Sequence, residues 1–535
     1  MAVVALLILG AIVVGLVLLI RKFMDRKGPD TSDGSDVLPY LLLAVAVGTA
    51  GFSLAALARA AFPAGSVVFD RAGQVATALA GLVVAAPIAV YLWRRQAKRR
   101  ESFPASGGWT VYLALIEGVF MTTLVVTGYM LTNWILSDGD RTTWSDVFVY
   151  AAIIAFHEVA ARRTPPHSDS ADLPRVVGSV IGLIATATAA TGIVFWLLDQ
   201  VYATFSPQAG GEPLMTWIAL LVVGGPVWFF RWWRPWPAES SLPRDLWLFV
   251  VSVAALATAI VATTFTVIQT VVFVLTTTDD AAGHFEFLPV AVSVGLVALL
   301  LWAHHRSRLG SERTDSVRAY EYAMTAIGLS SVVGGATWLT ALAFGGGDLI
   351  TVDSGVVVSA VIFVLVSLVV WWRFWSTAEA APRDVEAAST PRRFYLIGMG
   401  VVMGLTSAGA LIGALVVLFQ MVLDTAEGDT LVVQGALFVL SGLATWHLLR
   451  ENANDRSLIV SEDVVTPFDV TIVCSHPGMV STLFSDKARL RVLYRGDDEG
   501  AISDKMAEQI VEEVNNISSL VWVDGDGFRV ARTRI

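Results

Sequence analysis

Long apolar runs separated by short polar connections fill the chain up to about residue 450, and beyond it the pattern changes to short alternating segments. Thirteen of the runs are long enough to cross roughly 30 Å of hydrocarbon as helices. The first is Ala2 to Ile20. The others lie near 38–62, 69–93, 109–136, 144–161, 176–198, 214–233, 246–275, 287–303, 319–344, 355–375, 394–423 and 431–449. The pattern predicts an all-α polytopic membrane protein, with helices paired as hairpins and a small α/β domain at its end.

Charge in the connections sets the expected orientation. Every second connection is basic, as in Arg94, Arg95, Lys98, Arg99 and Arg100, or Arg306, Arg308, Arg313 and Arg318. The alternate connections carry acids instead, such as Asp138 with Asp140 and Asp279 with Asp280. Basic connections stay in the cytoplasm. The first run has no basic residue before it and Arg21, Lys22, Arg26 and Lys27 just after it, the reverse of a secretory signal peptide. It reads as an uncleaved anchor with the amino terminus outside and the carboxyl terminus in the cytoplasm, in a bacterial cytoplasmic membrane.

Composition narrows the class further. Hydrophobic residues make up 55%, charged residues 15%, and mean hydropathy is +0.66, values that exclude an ordinary soluble domain. The formal net charge of -10, with basic residues placed where lipid phosphates would meet them, argues against nucleic-acid binding. The single cysteine, Cys474, excludes a disulfide within the chain.

A repeat is visible where the second helix of each hairpin reaches its basic end. These ends read Trp93-Arg94-Arg95, Phe156-His157-Glu158, Trp228 followed by Arg231, Trp302 followed by His304-His305-Arg306, Trp371-Trp372-Arg373, and Trp446-His447 followed by Arg450. The period is about 65 to 75 residues, one hairpin with its link, so six hairpins share one orientation. Trp93, Trp228, Trp302, Trp371 and Trp446 are expected as anchors at the headgroup level. Hairpins ending in the manner of Gly224-Gly225-Pro226-Val227-Trp228-Phe229-Phe230-Arg231-Trp232 resemble a bacterial multi-pass membrane family of unknown function built from repeated transmembrane hairpins. The resemblance covers residues 37–450, implies a membrane location and a repeat architecture, and brings no catalytic residue with it. The first two units depart from it, since they lack the Gly-Pro-x-Trp spacing.

Ionisable residues within the runs are few and costly to bury. Glu117 lies about two turns into its helix, and His157 with Glu158 lies at similar depth on the returning helix of the same hairpin. These three form a candidate polar relay, in which Glu117 and His157 would share a proton and Glu158 would tune the pair; a buried polar clamp between helices is the other reading. Gln269, Gln420 and Gln434 are expected to bond between helices, and Glu321, near its helix start, to reach water. The pairs Gly178 with Gly182, Gly400 with Gly404, and Gly409 with Gly413 mark possible close helix contacts.

The organisation that follows has an anchor and basic loop over residues 1–36, the hairpin domain over 37–450, a polar linker over 451–465 and a cytosolic α/β domain over 466–535. In that last domain Phe468–Val473 and Leu490–Tyr494 read as strands, with a short helix possible between them over His476–Lys487. Ile502, Met506, Ile510 and Val514 fall on one face of a helix capped by Ser503, and a hairpin turns at Asp524-Gly-Asp-Gly527. Cys474, Ser475 and His476 are adjacent, but neighbours along a strand point to opposite faces, which disfavours a nucleophile and base pair. No metal, cofactor or phosphate-binding loop is called for. The leading expectation is a non-enzymatic membrane scaffold or accessory subunit, embedded in the lipid bilayer, with a protein partner docked on the carboxyl-terminal domain. The alternatives are a transporter or channel using Glu117 and His157, and a lipid-modifying membrane enzyme working through His and Arg residues at the cytoplasmic edge.

Overall fold

The computed structural model describes residues 37–62, 71–102, 107–137, 144–163, 172–203, 213–233, 241–276, 280–310, 312–344, 354–423, 429–461, 468–474, 488–494, 502–514, 519–524 and 527–532. The expected anchor over Ala2 to Ile20 and the possible short helix over His476–Lys487 lie outside the described residues. Within them, twelve helices are long and apolar enough to cross a membrane. In hydrocarbon each backbone N–H must be satisfied within its own segment, which makes helix the only conformation open to runs of this composition. Hydroxyls within the helices follow the same rule: Thr122, Thr186 and Thr325 donate to the carbonyls of Gly118, Gly182 and Glu321, one turn back.

The helices are α1 Val37–Ala61, α2 Arg71–Ser102, α3 Gly107–Ser137, α4 Trp144–Arg163, α5 Leu173–Ala203, α6 Leu214–Trp228, α7 Leu242–Thr276, α8 Leu288–Arg308, α9 Asp315–Phe344, α10 Ser354–Glu379, α11 Thr390–Val422 and α12 Asp429–Ser461. They pack as hairpins, α1 on α2, α3 on α4, α5 on α6, α7 on α8 and α9 on α10. The first five hairpins also touch in succession, through α1 with α3, α3 with α5 and α6, α5 with α8, and α7 with α9 and α10. In the last hairpin Ser407 Oγ of α11 donates to the Phe438 carbonyl of α12 at 3.0 Å.

Two glycines are required by close approach. A side chain at Gly182 of α5 would lie 2.5 Å from the Trp228 backbone nitrogen of α6, and one at Gly328 of α9 would lie 2.6 Å from that of Trp371 in α10. The small residue therefore lets two backbones meet. Gly409, by contrast, faces open space.

The chain divides into two compact units, one running to Ala380 and including Gly398–Thr445, the other comprising Ala381–Ile397 and Trp446–Ile535. In the second unit the polar stretch expected as a linker from residue 451 continues α12 as helix to Ser461. Ion pairs hold it, one buried and one at the surface. Arg392, 1% exposed, places Nε 2.5 Å from Asp455 Oδ2, and Arg383 reaches Glu451 Oε2 at 2.6 Å.

The same unit carries a four-stranded sheet of β1 Phe468–Cys474, β2 Ala488–Tyr494, β3 Ser519–Asp524 and β4 Gly527–Arg532, in the order β2-β1-β3-β4. The first three strands are parallel, and β4 returns antiparallel to β3 through the expected Asp-Gly turn region. Helix α13, Asp504–Val514, presents Met506, Ile510 and Val514 to Val470, Ile472, Val521 and Val523, with Ile502 in the same core. Ser503 Oγ accepts from the Met506 N–H at 3.4 Å, as a cap does. Cys474 is fully buried in this core, and burial pushes its thiol above the ordinary value of 9.0.

Candidate functional site

Glu117 on α3 and Glu158 on α4 face each other across one hairpin, and a third side chain comes between them from the following one. This is Arg231. Its Nε lies 2.7 Å from Glu117 Oε1, its Nη2 donates to Glu117 Oε2 at 2.9 Å, and its Nη1 donates to Glu158 Oε2 at 2.9 Å. Arg162, one turn beyond Glu158 and largely exposed, completes the cluster at 3.2 Å. The Arg231 side chain is only 14% exposed and Glu117 11%, so these are bonds formed largely out of water. Each carboxylate takes one guanidinium hydrogen bond, and the close Nε–Oε1 approach adds charge attraction that offsets part of the desolvation of both partners.

The backbone of α6 explains how an arginine at a basic helix end turns inward. Pro226 has no N–H and its ring crowds the carbonyl one turn earlier, so the α-helical ladder cannot continue through it unchanged. Directly afterwards Phe229–Trp233 forms a π-helical turn. The wider turn shifts the facing of the residues it contains. Trp232 becomes buried and Arg231 is aimed at α3 and α4. Gly178 of α5 clears the space, since a side chain there would collide with the Glu117 carboxylate and the Arg231 stem.

His157 bonds to Tyr112 and Ile153. Its Nδ1 lies 2.7 Å from the Ile153 carbonyl, which can only accept, so this nitrogen carries the proton. Nε2 then accepts from the Tyr112 hydroxyl of α3 at 2.7 Å. Trp93, Tyr112 and Phe156 surround the ring. Both nitrogens are thereby engaged, and the imidazole fixes α4 to α3 beside the ion cluster. The structure thus joins Glu117 to Glu158 through Arg231 and joins His157 to Tyr112.

A second polar and aromatic cluster repeats this pattern in α6, α7 and α8. His305 is fully buried and its Nδ1 donates to the Leu301 carbonyl at 2.8 Å, as His157 does to Ile153. Its ring lies 4.9 Å from Trp232 and 6.4 Å from Trp247, centroid to centroid. His304 Nε2 accepts from Trp232 Nε1 at 2.9 Å, and its ring stacks on Trp233. Among the described residues no group of three His, Cys, Asp or Glu is placed to hold a metal ion.

The tryptophans expected as anchors divide. Trp446 is 60% exposed. Trp93 sits against Trp109 and Tyr112, Trp228 against His304 and His305, Trp302 donates from Nε1 to the Tyr320 hydroxyl at 2.9 Å, and the Trp371 backbone abuts Gly328. These four lie between helices. Glu321 does not reach water either: it is 6% exposed and pairs with Arg313 at 2.9 Å, because Arg313 in the preceding connection folds back over the start of α9. Of the glutamines, the Gln434 side chain packs toward Gly413 between α12 and α11, and Gln420 is exposed.

A family model described as a domain of unknown function, DUF5671, matches residues 36–157, 172–300 and 318–448. The three matches together span well over half the chain. The chain belongs to the DUF5671 family. Each match holds four helices, so one DUF5671 unit equals two of the hairpins read from the sequence. The six hairpins are three family repeats. The fourth helix of each carries a buried or partly buried histidine: His157, His305 and His447. Arg231 belongs to the second DUF5671 repeat and both its carboxylate partners lie in or beside the first, so the ion cluster joins two repeats. No curated protein and no solved structure matches the chain.

Proposed function

We propose that this protein is a non-enzymatic membrane scaffold or accessory subunit, in which three DUF5671 repeats form a fixed bundle and the α/β domain docks a protein partner in the cytoplasm. One observation carries the reading: Arg231 pairs with Glu117 and Glu158 together, so the buried Glu117 charge of the first repeat is engaged in holding the second. A charge used this way stiffens an interface. It is not available to bind and release an ion. The orientation proposed, with the basic helix ends in the cytoplasm of a bacterial cell, rests on the distribution of arginine and lysine.

A transporter is the second reading, and the π-helical turn supports it. Such turns recur at functional sites, and one that carries the central arginine could exchange with an α-helical turn and release both carboxylates. The two readings separate in proteoliposomes under an imposed proton or sodium gradient. The scaffold reading expects no flux above protein-free vesicles from folded native protein. Flux that Glu117→Gln abolishes, with the variant still folded, would establish the transporter instead.

A further inference from the structure

Between α5, α7 and α8 a lateral crevice of about 190 Å³ opens, lined almost wholly by carbon. Its walls include Val180, Leu183, Val251, Ala255, Val297 and Ala298. The residues lining it on α7 run from Trp247 to Thr258, and those on α5 from Val180 to Thr191, a length of about 16 Å at 1.5 Å per residue. A further cavity, about 330 Å³, lies between α5 and α8 toward their other ends and is lined by Leu198, Tyr202, Phe285 and Val292 among others. The two follow one another along the same pair of helices.

Threonines Thr188, Thr191 and Thr258 line the far end, and the charged groups gather at the other. Trp247 lines the crevice there and is 5% exposed, and its indole Nε1 is buried with no hydrogen-bond partner among the described residues. A buried donor without an acceptor is costly and calls for one. Just beyond Trp247, all three helices turn basic: Arg175 on α5, Arg244 on α7, and Arg306 with Arg308 on α8. Asp172 and Asp245 offset two of these charges, Asp172 by facing Arg175 at 3.9 Å and accepting from Ser241. Arg306 is turned away, its Nη1 donating to the Gly310 carbonyl and its guanidinium lying over the Tyr320 ring, so Arg175, Arg244 and Arg308 stand against two acids at these helix ends.

We infer that this crevice is a binding site for an anionic glycerophospholipid of the leaflet that faces the basic helix ends. The phosphate would lie among Arg175, Arg244 and Arg308, an ester carbonyl would accept from Trp247 Nε1, and one acyl chain would fill the crevice past Ala255 and Ala298. The order of chemistry along the site is that of the lipid itself: anion, carbonyl acceptor, hydrocarbon. A quinone would also present a carbonyl and an apolar tail, but it brings nothing for the arginines. The inference stands apart from the scaffold reading, since a transporter could hold the same lipid.

The test uses the full chain, purified in detergent, with a phosphatidylglycerol carrying a diazirine in its acyl chain. Crosslinks should concentrate on peptides containing Val251–Thr258 and Val294–Leu301. Unlabelled phosphatidylglycerol should suppress them, and phosphatidylcholine should do so only weakly. Arg244→Gln should weaken the preference for phosphatidylglycerol about fivefold, the ~1 kcal/mol of one basic side chain at an anionic surface. Ala255→Phe should remove crosslinking on α7 and α8 while leaving labelling of the α1 surface unchanged, which also reports that the variant is folded. Labelling spread evenly over all lipid-facing helices would overturn the proposal. So would equal suppression by phosphatidylcholine, or stronger suppression by ubiquinone.

Discussion

Arg231 of α6 grips Glu117 of α3 from 114 positions away, with Nε and Nη2 each set against its own carboxylate oxygen at 2.7 and 2.9 Å. The pair joins two family repeats, and Glu158 binds the remaining face of the guanidinium at 2.9 Å. Removing the arginine would leave two carboxylates in a poorly hydrated site. Arg231→Met should therefore destabilise the folded protein by about 3–5 kcal/mol, read as a fall in thermal unfolding temperature in detergent. Adding Glu117→Gln and Glu158→Gln should recover much of the loss, because the stranded charges are then gone.

Most of the helical architecture was legible in the sequence, because membrane spans and basic helix ends are written in local composition. The cluster was legible only in part. Glu117, His157 and Glu158 stood out as ionisable residues within apolar runs, and the fold does bring Glu117 and Glu158 together. Arg231 did not stand out, since an arginine after tryptophan and phenylalanine at a basic helix end matches what any interfacial residue looks like. Its inward aim comes from the π-helical turn after Pro226, and its partners lie in another repeat. Glu321 was misread for a similar reason: nearness to a helix start says nothing of Arg313 folding back onto it.

The Tyr112 hydroxyl is the donor that satisfies His157 Nε2. Tyr112→Phe keeps the ring packing and strands that nitrogen, at a cost of about 1–3 kcal/mol in unfolding free energy. Substituting His157→Leu in the Tyr112→Phe background should cost little more, and a double-mutant cycle on the two positions measures the coupling.

Gly182 and Gly409 provide a paired comparison. Gly182→Ala pushes a methyl group into the Trp228 backbone and should destabilise by about 1–3 kcal/mol, as overpacking does. Gly409→Ala meets nothing and should be neutral or stabilising by a few tenths of a kcal/mol, since alanine is the better helix former. Parallel unfolding scans of the two variants check this.

Cys474 should be inert in the folded protein. Its thiol is buried in the sheet core and its ionisation is pushed to higher pH, so a thiol-specific reagent at neutral pH should modify it only after denaturation. Because the folded value is raised, this residue's contribution to stability is complete below the ordinary thiol value near 9.0 and is lost as pH rises through the folded value. A pH series of unfolding for native protein against Cys474→Ala should diverge only on that alkaline side.

The central claim is that the ion cluster fixes the first two repeats in one arrangement. The most direct test is a pulsed dipolar distance between spin labels at Leu42 on α1 and Leu300 on α8, both exposed, in a Cys474→Ala background in lipid vesicles. The scaffold account expects one narrow distance distribution, unchanged by pH between about 5 and 8 or by an ion gradient, and broadened by Arg231→Met. Two distances in the native protein, exchanging population with pH or gradient, would contradict it and show a bundle that alternates between states.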